Sequence, residues 1–220
     1  MTHKEDKRGK NKKKKMETRW LEMQRELDRN ARQANDPAFE EGLNVNLVDF
    51  VISNSFGEME GKIFISKLKG AVEDFRRVHA ETNVPLCPSC FFVTPRGNIF
   101  IDERIAFSPE RKADMLDCAR RGTLTPITSP ESLTQEHDEM DSDLFLIGII
   151  LYLMLGREEE KRYPFDWGLP VMEYVEVVRN GVGEAIRLLR REDLSEQILE
   201  LLRCLLSSDV AIRRTAWNKI

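Results

Sequence analysis

Residues 141–155, DSDLFLIGIILYLML, decide the fold of this chain. From 144 to 155 the run holds twelve residues without a charge, and its apolar groups cover every face of a helix. Such a helix has no side suited to water, so it must be surrounded by protein. Twelve residues rise only about 18 Å as an α-helix, well short of the roughly 30 Å hydrocarbon core of a bilayer. Acidic residues close both ends, Asp141 and Asp143 before it and Glu158, Glu159 and Glu160 after it. The run reads as a buried core helix rather than a membrane span, and the segments around it should supply its cover.

Those segments read mostly as helices. A short helix is expected over 45–52 and a long one over 60–79, where Ile63, Ile65, Leu68, Val72, Phe75 and Val78 mark one apolar side. A charged helix over 109–120 ends at Gly122, and 123–130 is a Thr-, Ser- and Pro-rich loop. Beyond the central run, helices are expected over 171–179, 183–190, 195–206 and 209–218. The exception is a pair of short apolar runs, 90–94 and 98–102, separated by Pro95, Arg96 and Gly97. That turn composition predicts one β-hairpin. No internal repeat is evident. The fold class is therefore mainly α, a helical domain with one small β-hairpin.

The 220 residues are 41% hydrophobic, enough for one domain with a sizeable core. Residues 1–15 hold eight Lys or Arg against Glu5 and Asp6, a net +6 that leaves −10 on the rest of a chain whose total is −4. Residues 1–15 read as a disordered basic tail, 16–43 as a charged helix and linker carrying Trp20, Met23 and Leu27 at helical spacing, and 44–220 as the folded domain. The tail 7–15, KRGKNKKKK, suits a nuclear localisation signal, a nucleic-acid contact or an anionic-membrane contact, or simply a solvated tail. Four cysteines are too few for a disulfide scaffold, and no secretory signal precedes them. A reducing compartment is expected: cytoplasmic, with a nuclear location open through the tail.

Cys87 and Cys90 form a CxxC with Pro88 inside it, the residue pattern of a redox centre or half a zinc site. A redox centre of the thioredoxin kind needs a strand before the pair and a helix after it, whereas here a helix precedes and a strand follows. Cys118 and Cys204 are isolated, and neither His79 nor His137 stands at zinc-finger spacing, so no metal site and no cofactor is nominated. No serine lies in a GxSxG setting; His79, at the end of a long helix, suits a dipole partner better than a catalyst. Thr125 and Ser129 precede prolines, which makes them either phosphorylation sites or parts of a proline-shaped loop.

Five blocks in order resemble the large C-terminal lobe of a protein kinase. Residues 86–93, LCPSCFFV, are similar to the catalytic-loop string LKPENILL, and 97–101, GNIFI, to the GNVKI that follows it. Ser129, Pro130 and Glu131 resemble the APE motif; 142–151, SDLFLIGIIL, resembles SDVWSLGVIL; and 209–216, DVAIRRTA, resembles DPxxRPTA. The resemblance covers about 45–220 and leaves no room for a nucleotide-clamping lobe: there is no GxGxxG loop and no VAIK-type lysine upstream.

Carried over residue by residue, the resemblance implies a lobe without its chemistry. Asn83, Val84 and Pro85 stand where kinases have HRD, so the general base is a proline. Cys87 replaces the catalytic-loop lysine and Cys90 the metal-binding asparagine, while Glu103, Arg104 and Ile105 occupy the DFG site with Asp102 one residue early. No catalytic residue is nominated. What the resemblance retains is structural: an ion pair between Glu131 and Arg213, Asp143 as the aspartate that caps backbone amides from the central helix, and Gly148 as a point of close helix packing.

The chain is most similar in organisation to the KIND family, the kinase non-catalytic C-lobe domains of Spire-type actin nucleators. Residues 47–75 look like that family's opening and 94–107 like its hairpin. The resemblance implies a protein-interaction module with no enzymatic activity, which in actin-nucleating members binds a basic formin tail through an acidic groove and associates with the cytoskeleton. Glu136, Asp138, Glu139 and Asp141 before the central helix, and Glu158, Glu159 and Glu160 after it, are the matching acidic clusters. The alternative is a degenerate kinase that keeps nucleotide binding, or activity when its missing lobe is supplied in trans.

Overall fold

A computed structural model of the chain describes residues 44–54, 56–80, 84, 86–108, 129–133, 139–156, 163–165, 169–189, 191 and 193–220. The tail, the 16–33 and 109–120 helices and most of the 123–130 loop lie outside the described residues. Among those described are seven α-helices and one small antiparallel sheet of three strands. None of these helices is long and apolar enough to cross a membrane. The chain divides into two units, Met1–Val45 with Val93–Asn98, and Asn46–Phe92 with Ile99–Ile220.

In the smaller unit the described backbone is essentially one turn. Thr94 N donates to Asn98 O at 2.9 Å and Gly97 N to Thr94 O at 2.8 Å, while Thr94 Oγ1 accepts from Asn98 N at 3.1 Å. Gly97 has φ 72°, a left-handed conformation that a β-carbon disfavours. The Pro95-Arg96-Gly97 turn expected from sequence is therefore the hairpin connection.

The larger unit holds the helices. Strand β1 (Val45–Asn46) replaces the first turn expected for a 45–52 helix, and α1 runs only over Leu47–Ile52. Asn46 sets this boundary, because its side chain accepts from Val48 N at 2.9 Å and caps the helix. Helix α2 (Glu58–Val78) begins with a capping interaction, Gly57 N to Glu60 Oε2 at 2.6 Å, and carries Glu58 and Glu60 at its positive end and Arg76 and Arg77 at its negative end. Its buried residues are Gly61, Phe64, Ile65, Leu68, Val72 and Phe75. The sequence expectation erred at Ile63 and Val78, which are 43% and 71% exposed. At about 100° per residue, Ile63 falls roughly 140° from Leu68 around the helix, outside an apolar stripe that Phe64 fills instead. Strands β2 (Phe91–Val93) and β3 (Ile99–Ile101) follow, and the sheet order is β1-β2-β3. The four-residue helix α3 (Glu103–Ala106) comes next.

Helix α4 (Glu139–Leu155) is the centre. None of its apolar residues from 144 to 155 is more than 4% exposed, as its all-round apolar pattern requires. Helices α1, α2, α6 (Glu196–Leu205) and α7 (Val210–Trp217) pack on it. Tyr152 adds a hydrogen bond from its hydroxyl to Ala185 O at 2.9 Å, on α5 (Val171–Leu188). Each fully buried Leu, Ile or Phe contributes about 1.5–3 kcal/mol, so this one helix accounts for a large part of the core.

Helix α5 is continuous where two helices, 171–179 and 183–190, were expected around Gly181 and Gly183. A glycine inside a helix costs about 1 kcal/mol relative to alanine. Buried Tyr174, Val178, Ala185 and Ile186 carry one apolar stripe across both glycines, and packing of that stripe outweighs the local cost. Ser195 caps α6 and Asp209 caps α7, the latter through Ala211 N at 2.8 Å.

Candidate functional site

The residues singled out from the sequence fall into two groups, an ionic collar around the start of α4 and the loop that precedes β2. In the collar, Asp143 is 1% exposed and takes a two-point hydrogen-bonded ion pair from Arg76 at the end of α2, Nε to Oδ2 at 2.6 Å and Nη2 to Oδ1 at 2.9 Å. Asp141 is 5% exposed and receives the same fork from Arg214 of α7, at 2.6 and 2.8 Å. Asp141 sits in the first turn of α4, where the helix dipole favours negative charge, and Asp143 begins the second. Ser142, between them, bonds the buried Ser129 hydroxyl at 2.9 Å. That burial places Ser129 out of reach of a modifying enzyme in the folded state, which favours the loop reading of Ser129-Pro130 over the phosphorylation reading.

Glu131, in a 3-10 turn over Pro130–Leu133, forms an ion pair with Arg213 of α7. Arg213 is fully buried, donates through Nη1 to Ser207 O and lies over the Phe145 ring with 5.7 Å from Cζ to the ring centre. Burial, reinforced by the Glu131 charge, raises the pKa of the nearby Tyr174 phenol far above its ordinary value. The structure thus brings Glu131 and Arg213 together. Gly148 lies where α4 meets α6, since a β-carbon there would stand 3.0 Å from the backbone carbon of Leu205.

Sequence reading named the acids and missed two of their partners. Arg76 and Arg214 each belong to an arginine doublet, 76–77 and 213–214, whose members take different partners: Arg76 binds Asp143 while Arg77 binds Asp74, and Arg213 binds Glu131 while Arg214 binds Asp141. An arginine doublet at the edge of an apolar helix face was the available signal. Asp141 requires a correction. It was nominated as part of a partner-binding acidic cluster, but Arg214 neutralises its inward-turned carboxylate within the chain, so it offers no free charge. Glu136, Asp138, Glu158, Glu159 and Glu160 lie outside the described residues, and Glu139 is described only as the first residue of α4.

In the loop group, Asn83 and Pro85 lie outside the described residues. The 3-10 turn Pro88–Cys90 is closed by Cys90 N to Cys87 O at 3.0 Å and held from two sides, by Asn46 Nδ2 to Ser89 O at 3.1 Å and Asp102 N to Cys90 O at 2.8 Å. Cys90 is fully buried and Cys87 partly exposed, with their sulfurs 3.4 Å apart. Asp102 caps α3 by accepting from Arg104 N at 2.9 Å and binds the Arg104 guanidinium at 2.8 and 3.1 Å. Arg104's hydrogen bond, against the opposing effect of burial, holds the Asp102 pKa below the usual carboxylate range. This carboxylate is committed to a structural role. Among the described residues no group of three or more His, Cys, Asp or Glu side chains is arranged to hold a metal ion. His79 closes α2 with its ring Nε2 3.0 Å from Glu103 Oε1 and rests against Phe75 and Phe107, in line with a structural role at the helix end.

No protein-family model and no curated protein matches this chain.

Proposed function

We propose that the chain is a non-catalytic, kinase C-lobe-like interaction module of the KIND kind. The observation that carries this reading is the buried Glu131–Arg213 ion pair beneath an all-apolar central helix. Glu131 and Arg213 stand at the positions where the resemblance requires a scaffold pair. A buried pair of this kind is costly to desolvate and serves architecture rather than net stability. The positions that would perform phosphoryl transfer hold other groups: proline at 85, cysteine at 87 and 90, and an aspartate at 102 already engaged by Arg104. Without a base at 85 and a lysine at 87, these positions provide neither the positioning nor the charge stabilisation of a phosphoryl group.

The module's partner is a protein with a basic segment, such as a formin tail, captured by the acidic residues Glu136, Asp138, Glu139 and 158–160. Such capture is fast and weakens with salt. On this reading the protein works in the cytoplasm, in association with the cytoskeleton.

Thermal unfolding with ATP and magnesium, beside titration of a fluorescent basic peptide, tests the proposal. A ligand at a hundred times its Kd adds about 2.7 kcal/mol of stability, a Tm rise of roughly 5–10 °C for a domain of this size. The module predicts no such rise with ATP, together with salt-sensitive peptide binding that charge reversal at 158–160 abolishes. A clear ATP shift, or peptide affinity indifferent to the reversal, would overturn it in favour of a degenerate kinase.

A further inference from the structure

Independently of that reading, we propose that Cys87 and Cys90 are a reversible dithiol–disulfide pair whose oxidation stabilises the fold. Their sulfurs stand 3.4 Å apart with no disulfide between them, against about 2.05 Å in a disulfide, so closing the bond needs only a small side-chain movement. The turn that carries them already has its backbone fixed, by Cys90 N to Cys87 O, Asn46 Nδ2 to Ser89 O and Asp102 N to Cys90 O. Access is divided between the two. Cys87 is partly exposed and is the sulfur a small reagent can reach, and its sulfur lies 2.8 Å from Ser89 Oγ. Cys90 is fully buried and can be oxidised only from within, by its neighbour.

The oxidant is a low-molecular-weight disulfide such as oxidised glutathione. The Cys87 thiolate attacks one of its sulfurs, forms a mixed disulfide and expels one small thiolate. Cys90 then loses its proton and attacks Sγ of Cys87, forming the internal bond and expelling the second thiolate. Two electrons pass from the protein to the small disulfide, and the two protons lost by the cysteines end on the two thiols released. Because the folded backbone brings the sulfurs together more often than the unfolded chain does, oxidation must favour the folded state by the same ratio.

The whole chain is equilibrated with reduced and oxidised glutathione at graded ratios, acid-quenched, alkylated and peptide-mapped, once under native conditions and once in denaturant. Cys87 and Cys90 should be lost to alkylation together, with a native equilibrium constant about tenfold or more above that in denaturant and a higher Tm for the oxidised protein. The Cys90→Ser variant should stop as a glutathione adduct on Cys87, and under native conditions Cys87→Ser should leave Cys90 unreacted. Equal constants in the two conditions, a lower Tm on oxidation, a lasting adduct on Cys87 in the wild-type chain, or a bridge from Cys87 to Cys118 or Cys204 would each overturn the proposal. Protection of both thiols by one equivalent of added zinc would overturn it as well, in favour of a metal half-site.

Discussion

Replacing Gly148 with alanine tests whether the central helix is packed as tightly as its composition demands. The added carbon would stand 3.0 Å from both the backbone carbon and Cβ of Leu205, and 3.1 Å from its carbonyl oxygen, where ordinary contact begins near 3.4 Å. The obstacle is mainly backbone, so α6 must move by about 0.4 Å against everything packed behind it. Overpacking of this kind costs about 1–3 kcal/mol, while alanine gains about 1 kcal/mol over glycine in helix propensity. Taking the upper half of the overpacking range, because the blocking atoms belong to the main chain, the net loss is about 1–2 kcal/mol. That corresponds to a Tm lower by roughly 2–8 °C. Gly70 and Gly183 supply the internal control, since a β-carbon at either meets nothing within 4 Å. Gly70→Ala and Gly183→Ala should therefore raise stability by about 0.4–1 kcal/mol each. Urea unfolding of the three variants measures the contrast at constant m-value. If Gly148→Ala proves as stable as the wild type while the two controls rise, the close approach of α4 and α6 is wrong.

Removing one partner of the buried Glu131–Arg213 pair by Arg213→Met should cost about 3–5 kcal/mol, and the double change to Arg213→Met with Glu131→Leu should recover part of that loss in denaturant melts. The two collar acids should differ: Asp143→Asn strands an Arg76 side chain only 13% exposed, whereas Asp141→Asn leaves Arg214, 57% exposed, to water, so the first variant should melt at the lower temperature. Glu58 anchors α2 to α6 by accepting from Ser195 N at 2.6 Å and Ser195 Oγ at 2.7 Å. Burial raises its pKa, but hydrogen bonds from Lys62 and Ser195 outweigh burial and leave it lowered. With the folded pKa below the unfolded one, this stabilisation is full above the unfolded value and lost as pH falls through the folded value. Glu58→Gln should therefore flatten the decline in Tm seen below about pH 4.5.

The chain's periodicity revealed the elements whose apolar pattern is unambiguous. The all-round apolar run at 144–155 could only be a buried helix, and Pro95-Arg96-Gly97 between two alternating runs could only be a tight turn. Periodicity failed where a tertiary contact outranked it. Gly181 and Gly183 looked like a break in α5 because propensity is local, yet Tyr174 before them and Ala185 and Ile186 after them are buried on one stripe. Asn46 looked helical beside Val45 and Leu47, yet as a cap it must stand outside the helix it starts. The acids of the collar were legible as charges and not as partners: nothing in one sequence says that Asp141 meets Arg214, 73 residues away.

That Asp141, Asp143 and Asp102 are each held by an arginine bears on what kind of protein this is. In an enzyme that transfers phosphoryl groups, at least one carboxylate near the β2–β3 hairpin must stay available to a metal or a hydroxyl proton. Here Asp102 spends its oxygens on the Arg104 backbone and guanidinium, and Asp143 spends its own on Arg76. The partners are arginines, whose charge cannot be titrated away at any physiological pH, so neither acid is released by a modest change in conditions. A latent enzyme would need one of these forks to open. Arg104→Ala separates the cases. If it leaves the chain unable to bind ATP with magnesium, Asp102 is a helix cap and no more; if it creates binding, the arginine is a lock on a working metal ligand, and the non-catalytic reading of the hairpin fails.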